Sequence, residues 1–398
     1  MTYLDWAATS PPDSRIIASA ASRADEAFGN PSSKHELGAE ARKSLEEARS
    51  RLSAAMGLEA RSADCRLSLT GSGSEGDAIP LLALLRSALN SRRDGSIKSL
   101  RLVTTEIEHA AVYEEALLLK SLGIDVAFVK PEADGRVDPG KIAKAIEKDT
   151  ALVSVMAVNN ETGAIQPIAE IAAAIAETSK SLGRQAPRLH VDAVQALGKI
   201  AFDPEAAGAS SAAFSAHKIR GPRGVGALWT KGRLEPVAVG GGQEGGLRAG
   251  TENILGAWAF ALAAEAAAAS FEARYHQARS LEARLIDGLA SIPGALSLPE
   301  GRKAGDGRYS PYILSVAFPG LSGEVLVRAL SDQGIAVSTG SACSSNAKRS
   351  GRRVLQAMGL GEKLALSAIR ISTGELTTEE EIDAFLEAAE ISYRRLRT

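Results

Sequence analysis

Two cysteines in 398 residues, Cys65 and Cys343, are too few for a disulfide framework and show no metal-cluster spacing, so each thiol is judged singly. Net charge is also scarce. The 46 Lys and Arg against 48 Asp and Glu leave −2, which excludes a strong electrostatic pull toward nucleic acid or anionic lipid. No stretch supplies the ~20 uninterrupted apolar residues of a membrane span. The opening Met1-Thr-Tyr-Leu-Asp-Trp has neither a basic start nor an apolar leader core. The expectation is a cytoplasmic protein with no nucleic-acid and no membrane partner. Internal repeats and long low-complexity tracts are absent too, although Ala259 to Ala269 is Ala-rich.

What is present is ordinary globular material, 45% hydrophobic and 24% charged, in a chain longer than one hydrophobic core usually serves. That length predicts a large and a small domain. β-rich apolar runs alternate with Ala/Leu/Glu-rich helical stretches over the first 260 residues, the pattern of an α/β fold with parallel strands and crossover helices. The strand candidates are Cys65 to Thr70, Leu100 to Thr105, Asp125 to Val129, Ala151 to Val158, Arg188 to Asp192, Ala212 to Ser215 and Gly226 to Thr230. Helical spacing from Ala257 to Ile292 predicts one long linking helix, followed by a strand at Ile313 to Phe318 and a helix at Gly323 to Gln333. The expected division is 15–258 for a large sheet domain and 1–14 with 259–398 for a smaller α+β domain. Open α/β sheets bind ligands at the carboxyl ends of their strands, which is where polar residues matter most.

Three such ends stand out. Gly71-Ser-Gly-Ser-Glu-Gly76 follows a strand and precedes the helical run Asp77 to Leu89, so its N–H groups and the Ser74 hydroxyl suit a phosphate. A plain turn fits the same letters, and so does the dinucleotide pattern G-x-G-x-x-G. Leu189-His-Val-Asp-Ala-Val-Gln195 sets Asp192 at the end of an apolar strand, either to face a cationic ring nitrogen or to cap the next helical turn. Phe214-Ser-Ala-His-Lys218 ends another strand with a lysine, solvated or bonded to a carbonyl cofactor. Cys343 lies in a small, polar loop with Lys348, Arg349, Arg352 and Arg353 close by, a setting that favours a thiolate, although an ordinary exposed cysteine reads the same way. Cys65, in an apolar strand, is expected to be buried and inert.

The chain resembles the aminotransferase class V family, and within it the group I cysteine desulfurases, along nearly its full length. The stretches that carry the resemblance are Tyr3-Leu-Asp-Trp-Ala-Ala-Thr, Phe28-Gly-Asn-Pro-Ser-Ser, Thr105-Glu-Ile-Glu-His109, Val158-Asn-Asn-Glu-Thr-Gly163, His190-Val-Asp-Ala-Val-Gln195, Ser215-Ala-His-Lys218, Gly240-Gly-Gly-Gln-Glu, Arg248-Ala-Gly-Thr251, Gly340-Ser-Ala-Cys-Ser and Ile369-Arg-Ile-Ser. The resemblance implies a fold type I pyridoxal 5'-phosphate (PLP) enzyme with a mainly parallel seven-stranded sheet. It implies Lys218 bonded to the cofactor, Asp192 against the pyridine nitrogen, His109 on the ring face, and Gln195 and Asn160 near the phenolic oxygen or substrate carboxylate. Gly73, Ser74, Ser215 and His217 would hold the phosphate, with Thr251 reaching it from the other subunit of a homodimer. Gly73-Ser74 replaces the usual Ala-Thr but keeps an N–H and a hydroxyl. Arg370 would grip the carboxylate of the substrate, L-cysteine, and Cys343 would take its sulfur for an acceptor protein, an iron–sulfur scaffold or a tRNA thiolation protein. No resident metal is implied, though Cys343 would transiently contact an iron–sulfur cluster if it delivers to one. A selenocysteine lyase, another enzyme of the family, or a non-catalytic sulfur-relay partner are the alternatives.

Overall fold

The computed structural model describes residues 1–58, 64–93, 100–340 and 352–397. After β1 (Thr2–Tyr3), helices α1 (Ser14–Glu26) and α2 (Glu36–Ala55) lead into a seven-stranded sheet. Its strands are β2 (Cys65–Thr70), β3 (Arg101–Thr105), β4 (Asp125–Val129), β5 (Thr150–Ser154), β6 (Arg188–Asp192), β7 (Ser211–Ser215) and β8 (Gly226–Lys231). They lie in the order β2-β8-β7-β6-β5-β3-β4, and only β8 runs against the rest. The helices that follow the strands are α3 (Gly73–Arg93), α4 (Ala110–Ser121), α5 (Pro139–Ala145) and α6 (Ile168–Ser181). β6 and β7 are buried almost throughout, as a sheet covered on both faces requires. The carboxyl ends of β2, β3, β6 and β7 fall on one edge, so Gly71, His109, Asp192 and Lys218 start out as neighbours.

The long helix expected over Ala257–Ile292 is two helices, α7 (Ile254–Ala269) and α8 (Phe271–Ala290), bent by 69° at Ser270. α7 is apolar around its whole circumference and belongs to the larger core, with Trp258, Phe260 and Ala264 buried in it. α8 is amphipathic and gives Leu281, Leu285 and Leu289 to a second core. One straight helix cannot serve both. The expected boundary at 258 therefore falls inside a helix of the larger core, and the change of core comes at Ser270. Among the described residues, no single helix is long and apolar enough to cross a membrane.

The rest builds a three-stranded antiparallel sheet from β9 (Leu296–Leu298), β10 (Ile313–Ala317) and β12 (Ala368–Ser372), with β10 in the middle. α9 (Gly323–Ser331) and α10 (Glu379–Leu396) pack on it, and α10 starts with a capping box between Thr378 and Glu381. β1 pairs in parallel with β11 (Ile335–Ala336). From there the N-terminal segment runs past Ser372, whose Oγ accepts from Ala7 N at 2.8 Å, to the turn that carries Lys218. There Ser10 N donates to His217 O at 2.9 Å. This segment ties the small sheet to the edge of the large one.

Two strand expectations shift. The run Ala151–Val158 forms a strand only over Thr150–Ser154. Beyond it Val155 N and Ala157 N still donate to His190 O and Asp192 O of β6, and the chain then enters the turn Asn159–Gly163. Cys65 is half-buried rather than buried, because it opens β2 where only Leu67 to Thr70 lie fully inside.

Candidate active site

A cavity of ≈ 290 Å³ opens at the carboxyl edge of the large sheet. Gly73, Ser74, His109, Asn160, Asp192, Gln195, Ser215, His217, Lys218 and Arg370 all line it. Thr251 does not; it is exposed and outside the lining of its own chain's cavity. Cys343 lies outside the described residues, as do Lys348 and Arg349, but Gly340 lines the cavity.

At one end, α3 starts two residues after Gly71, so Gly73 and Ser74 form its first turn rather than a loop before it. Ser72 Oγ accepts from Glu75 N at 3.0 Å, and the Glu75 carboxylate reaches back to Gly71 N, much as in a capping box. Glu75 is in turn held by Arg248 Nε at 2.9 Å. The N–H groups of the first turn have no partner within the helix, and the helix dipole favours an anion there. A Cβ on Gly73 would stand 2.6 Å from Val194 Cγ2 and 3.3 Å from Ser215 Cβ, so with Val194 where it is in this chain the turn has room only for glycine unless that side chain shifts. Among the lining residues near this end, Ser74, Ser215 and His217 offer polar atoms without a formal charge. Burial pushes the His217 imidazole down to about 3, with the Lys218 charge adding to it, and Thr9 Oγ1 sits 3.1 Å from its Nδ1.

At the other end, Asp192 is buried at the tip of β6. One carboxylate oxygen accepts from Val194 N at 2.9 Å, so the capping reading of this residue holds for half of the carboxylate. Among the described residues it has no ion-pair partner. Burial pushes its pKa up, while His109, the Val194 N–H and Lys218 pull the other way. A desolvated carboxylate of this kind calls for a cation in the cavity. His109 caps α4, its Nδ1 accepting from Ala111 N at 3.2 Å, which places any proton of the neutral ring on Nε2. Burial lowers the His109 pKa more than the opposing pull of Asp192 raises it.

Lys218 follows β7 on a short 3₁₀ turn and donates to Ala7 O at 2.6 Å and Ala8 O at 2.8 Å. Arg370, projecting from β12, is 4% exposed rather than a surface residue. It donates to Asn160 O at 2.9 Å and pairs with Asp5 at 2.6 Å. Its buried Nε has no partner among the described residues. An anion-binding turn, an unpaired carboxylate, an amine and a half-engaged guanidinium fit a ligand with a phosphate at one end and a cationic ring nitrogen at the other, together with a carboxylate substrate. PLP and an amino acid have those features.

The structure adds residues that the sequence reading passed over. Asp77, Glu108 and Glu161 also line the cavity, together with Arg353, which the sequence had placed only near Cys343. Glu108 Oε1 accepts from Thr105 Oγ1 at 2.6 Å and Met156 N at 3.1 Å, and burial pushes its carboxyl up to about 8. Glu161 is likewise raised by burial and pulled down by Arg353, Arg370 and Arg352. Asn159, fully buried, accepts from Thr162 N at 2.9 Å and Thr162 Oγ1 at 3.1 Å and so sets the turn that presents Asn160. Glu108 immediately precedes His109, and Asn159 and Glu161 flank Asn160. Position next to a singled-out residue was the available signal.

A family model described as aminotransferase class-V matches residues 2–385. A protein named cysteine desulfurase IscS from Anaeromyxobacter dehalogenans (strain 2CP-C) is 38% identical over 99% of this chain and 93% of its own length. A protein named cysteine desulfurase IscS 1 from Archaeoglobus fulgidus is 37% identical over 100% of this chain and 98% of its own. Among solved structures, one titled NifS-like protein superposes with a TM-score of 0.86 at 33% identity, over 99% of this chain and 100% of that one.

Proposed function

Because the chain belongs to the aminotransferase class-V family, we propose that it is a PLP-dependent cysteine desulfurase, converting L-cysteine to L-alanine and passing the sulfur through Cys343 to an acceptor protein. The observation that carries this reading is the convergence, in one cavity, of the Lys218 amine, the unpaired Asp192 carboxylate and Arg370.

PLP, bonded to Lys218, supplies an electron sink that makes the bonds at an amino acid's α-carbon labile. The chain's own residues do the rest. Gly73, Ser74, Ser215 and His217 bind the phosphate end, and Asp192 keeps the ring nitrogen protonated. Arg370 takes the substrate carboxylate with the part of its fork not already used on Asp5 and Asn160. Lys218, once displaced by substrate, removes the α-proton. His109 would lie against the ring, with Nε2 the atom that can hold and move a proton. The Cys343 thiolate attacks the substrate sulfur, the carbon–sulfur bond breaks, and the carbon takes up a proton to give alanine. Sulfur is oxidised and carbon reduced in the same exchange, so Cys343 ends as a persulfide without an outside oxidant. Cys343 follows by three residues Gly340, which lines the cavity.

A homodimer completes this reading, with Thr251, exposed in its own chain, reaching the partner's phosphate. The acceptor is an iron–sulfur scaffold or a tRNA thiolation protein. The test is alanine and sulfide release from L-cysteine with a reductant, for the wild type and Cys343→Ala. Equal amounts of both products from the wild type and neither from the variant support the reading. Full activity in a variant that still holds PLP defeats the role of Cys343.

A further inference from the structure

Lys199 is a lysine in an unusual place. It is 7% exposed, buried in the turn after β6, and among the described residues no carboxylate lies within ion-pair distance of it. Its charged neighbours are cations: Lys218, Arg370 on β12 and Arg274 on α8. Burial and these three, in that order, bring it down to about 7. Charged residues are seldom buried without a partner, because desolvation is costly. Stability is therefore a poor reason for this lysine.

Its hydrogen bonding points to a different reason. Lys199 Nζ donates to Gln195 Oε1 at 2.8 Å, and Gln195 Nε2 donates to Ala7 O at 2.9 Å. That carbonyl also accepts from Lys218 Nζ at 2.6 Å. The arrangement depends on the turn: Gly198 has φ +66°, and a Cβ there would stand 3.1 Å from Ala267 Cβ, so the chain can reverse and send Lys199 inward.

A glutamine amide has nearly the same shape with its oxygen and nitrogen exchanged, so its orientation must be set by its neighbours. Ala7 O only accepts and the Lys199 ammonium only donates, and both demand the same orientation. Gln195 lines the cavity, and this pair sets which of its amide atoms are engaged behind it. The neutral amine of Lys199 can accept as well as donate, so after titration of the lysine Ala7 O alone enforces the orientation.

We propose that Lys199 is a positioning residue: from behind the cavity it locks the Gln195 amide so that an N–H faces the bound cofactor's ring oxygen and the Ala7 carbonyl that docks Lys218. The assignment rests on the PLP reading of the site. Without Lys199 the amide loses the donor on Oε1 and keeps only its own N–H to Ala7 O, so it is pinned at one end instead of two and its cavity-facing N–H is less firmly held. A ring oxygen whose N–H donor is less firmly held, beside a lysine nitrogen that loses a nearby cation, holds its proton more tightly.

The test is a double-mutant cycle on the holoenzyme, with the pH midpoint of the visible absorption of bound PLP as the readout. Lys199→Met is expected to raise that midpoint by half a pH unit or more and to lower kcat more than it changes KM. Gln195→Leu should shift the midpoint as well, and adding Lys199→Met to it should shift it by less than Lys199→Met does alone, only the loss of the nearby cation remaining. The cofactor-free Lys199→Met protein should melt no lower than wild type at pH 7, since it no longer buries an unpaired lysine. Shifts that add in the double variant, or an unmoved midpoint with a lowered melting temperature, overturn the assignment. Should Lys199→Met fail to fold, the same cycle with Lys199→Leu, which likewise removes the donor, decides the matter by the same criterion. A wild type that takes up no PLP defeats the desulfurase reading instead, which keeps the two failures apart.

Discussion

Replacing Glu108 with glutamine tests whether the cavity holds a neutral carboxylic acid at physiological pH. Glu108 is 1% exposed, and burial carries its carboxyl from 4.5 to about 8, with the Asp192 charge adding to the rise and the Thr105 and Met156 hydrogen bonds opposing it. At about 1.4 kcal/mol per pH unit that displacement corresponds to about 5 kcal/mol. The sign follows from proton counts. Between pH 4.5 and 8 the folded protein keeps this proton and the unfolded chain releases it, so folding stability falls as pH rises through that window. A glutamine at this position has no proton to lose. Its carbonyl can accept from Thr105 and Met156 as Oε1 does, while its amide N–H groups take the place of Oε2, which has no partner among the described residues. That mismatch costs about 1–3 kcal/mol at every pH. Urea unfolding of the cofactor-free proteins at pH 5, 6, 7 and 8 should show Glu108→Gln gaining on wild type by about 1.4 kcal/mol per pH unit, or about 4 kcal/mol across the series. Asp77 and Asp192 titrate in both proteins and largely cancel. A difference that stays flat with pH means that Glu108 is already ionised when folded, and refutes the reasoning.

Gly73→Ala should place its methyl in the space now held by Val194 and Ser215. PLP affinity, measured by titrating the apoprotein, is expected to fall tenfold or more, consistent with an overpacking cost of about 1–3 kcal/mol at the phosphate end. Arg370→Lys keeps the charge but cannot hold Asp5, Asn160 O and a carboxylate together. KM for cysteine should rise about 10- to 100-fold, in line with loss of a charge-assisted hydrogen bond of about 1.5–3 kcal/mol, while the PLP spectrum without substrate stays as in wild type.

Several elements were legible from the sequence to the residue. Cys65–Thr70, Asp125–Val129 and Arg188–Asp192 are strands with the expected bounds, because each is a short run set off by polar or turn-forming neighbours. Ten of the residues singled out from the sequence line one cavity, because strand ends in a parallel sheet converge on one edge. What the sequence hid was burial of charge. Asp77, Glu108 and Lys199 stand beside apolar runs, where a charged residue ordinarily faces water. Only the packing of α3, α4 and the turn after β6 takes these three out of it. The bend at Ser270 was hidden for a related reason: helical spacing runs unbroken through it, and the break follows from two cores that lie in different directions.

The buried charges also explain how the fold leaves one carboxylate for the chemistry. Asp192 raises the pKa of Asp77 and of Glu108, Glu108 raises that of Asp77, and burial acts on all three. They cannot all be ionised. His190, pushed down to about 3 by burial, is neutral and sits 3.2 Å from Asp77 and 2.9 Å from Ser211 Oγ, so Asp77 has a hydrogen-bond partner but no cation. Glu108 has two neutral donors on one oxygen and, among the described residues, nothing on the other. All three line the cavity, but Asp192 has both His109 and Lys218 pulling its pKa down, whereas Glu108 has only Arg353 among charged groups and Asp77 has none. The protons therefore belong on Asp77 and Glu108, and the negative charge belongs on Asp192, where a ring nitrogen can meet it. Environments that push neighbouring acids apart in this way assign their roles, and here they do so before any ligand is bound.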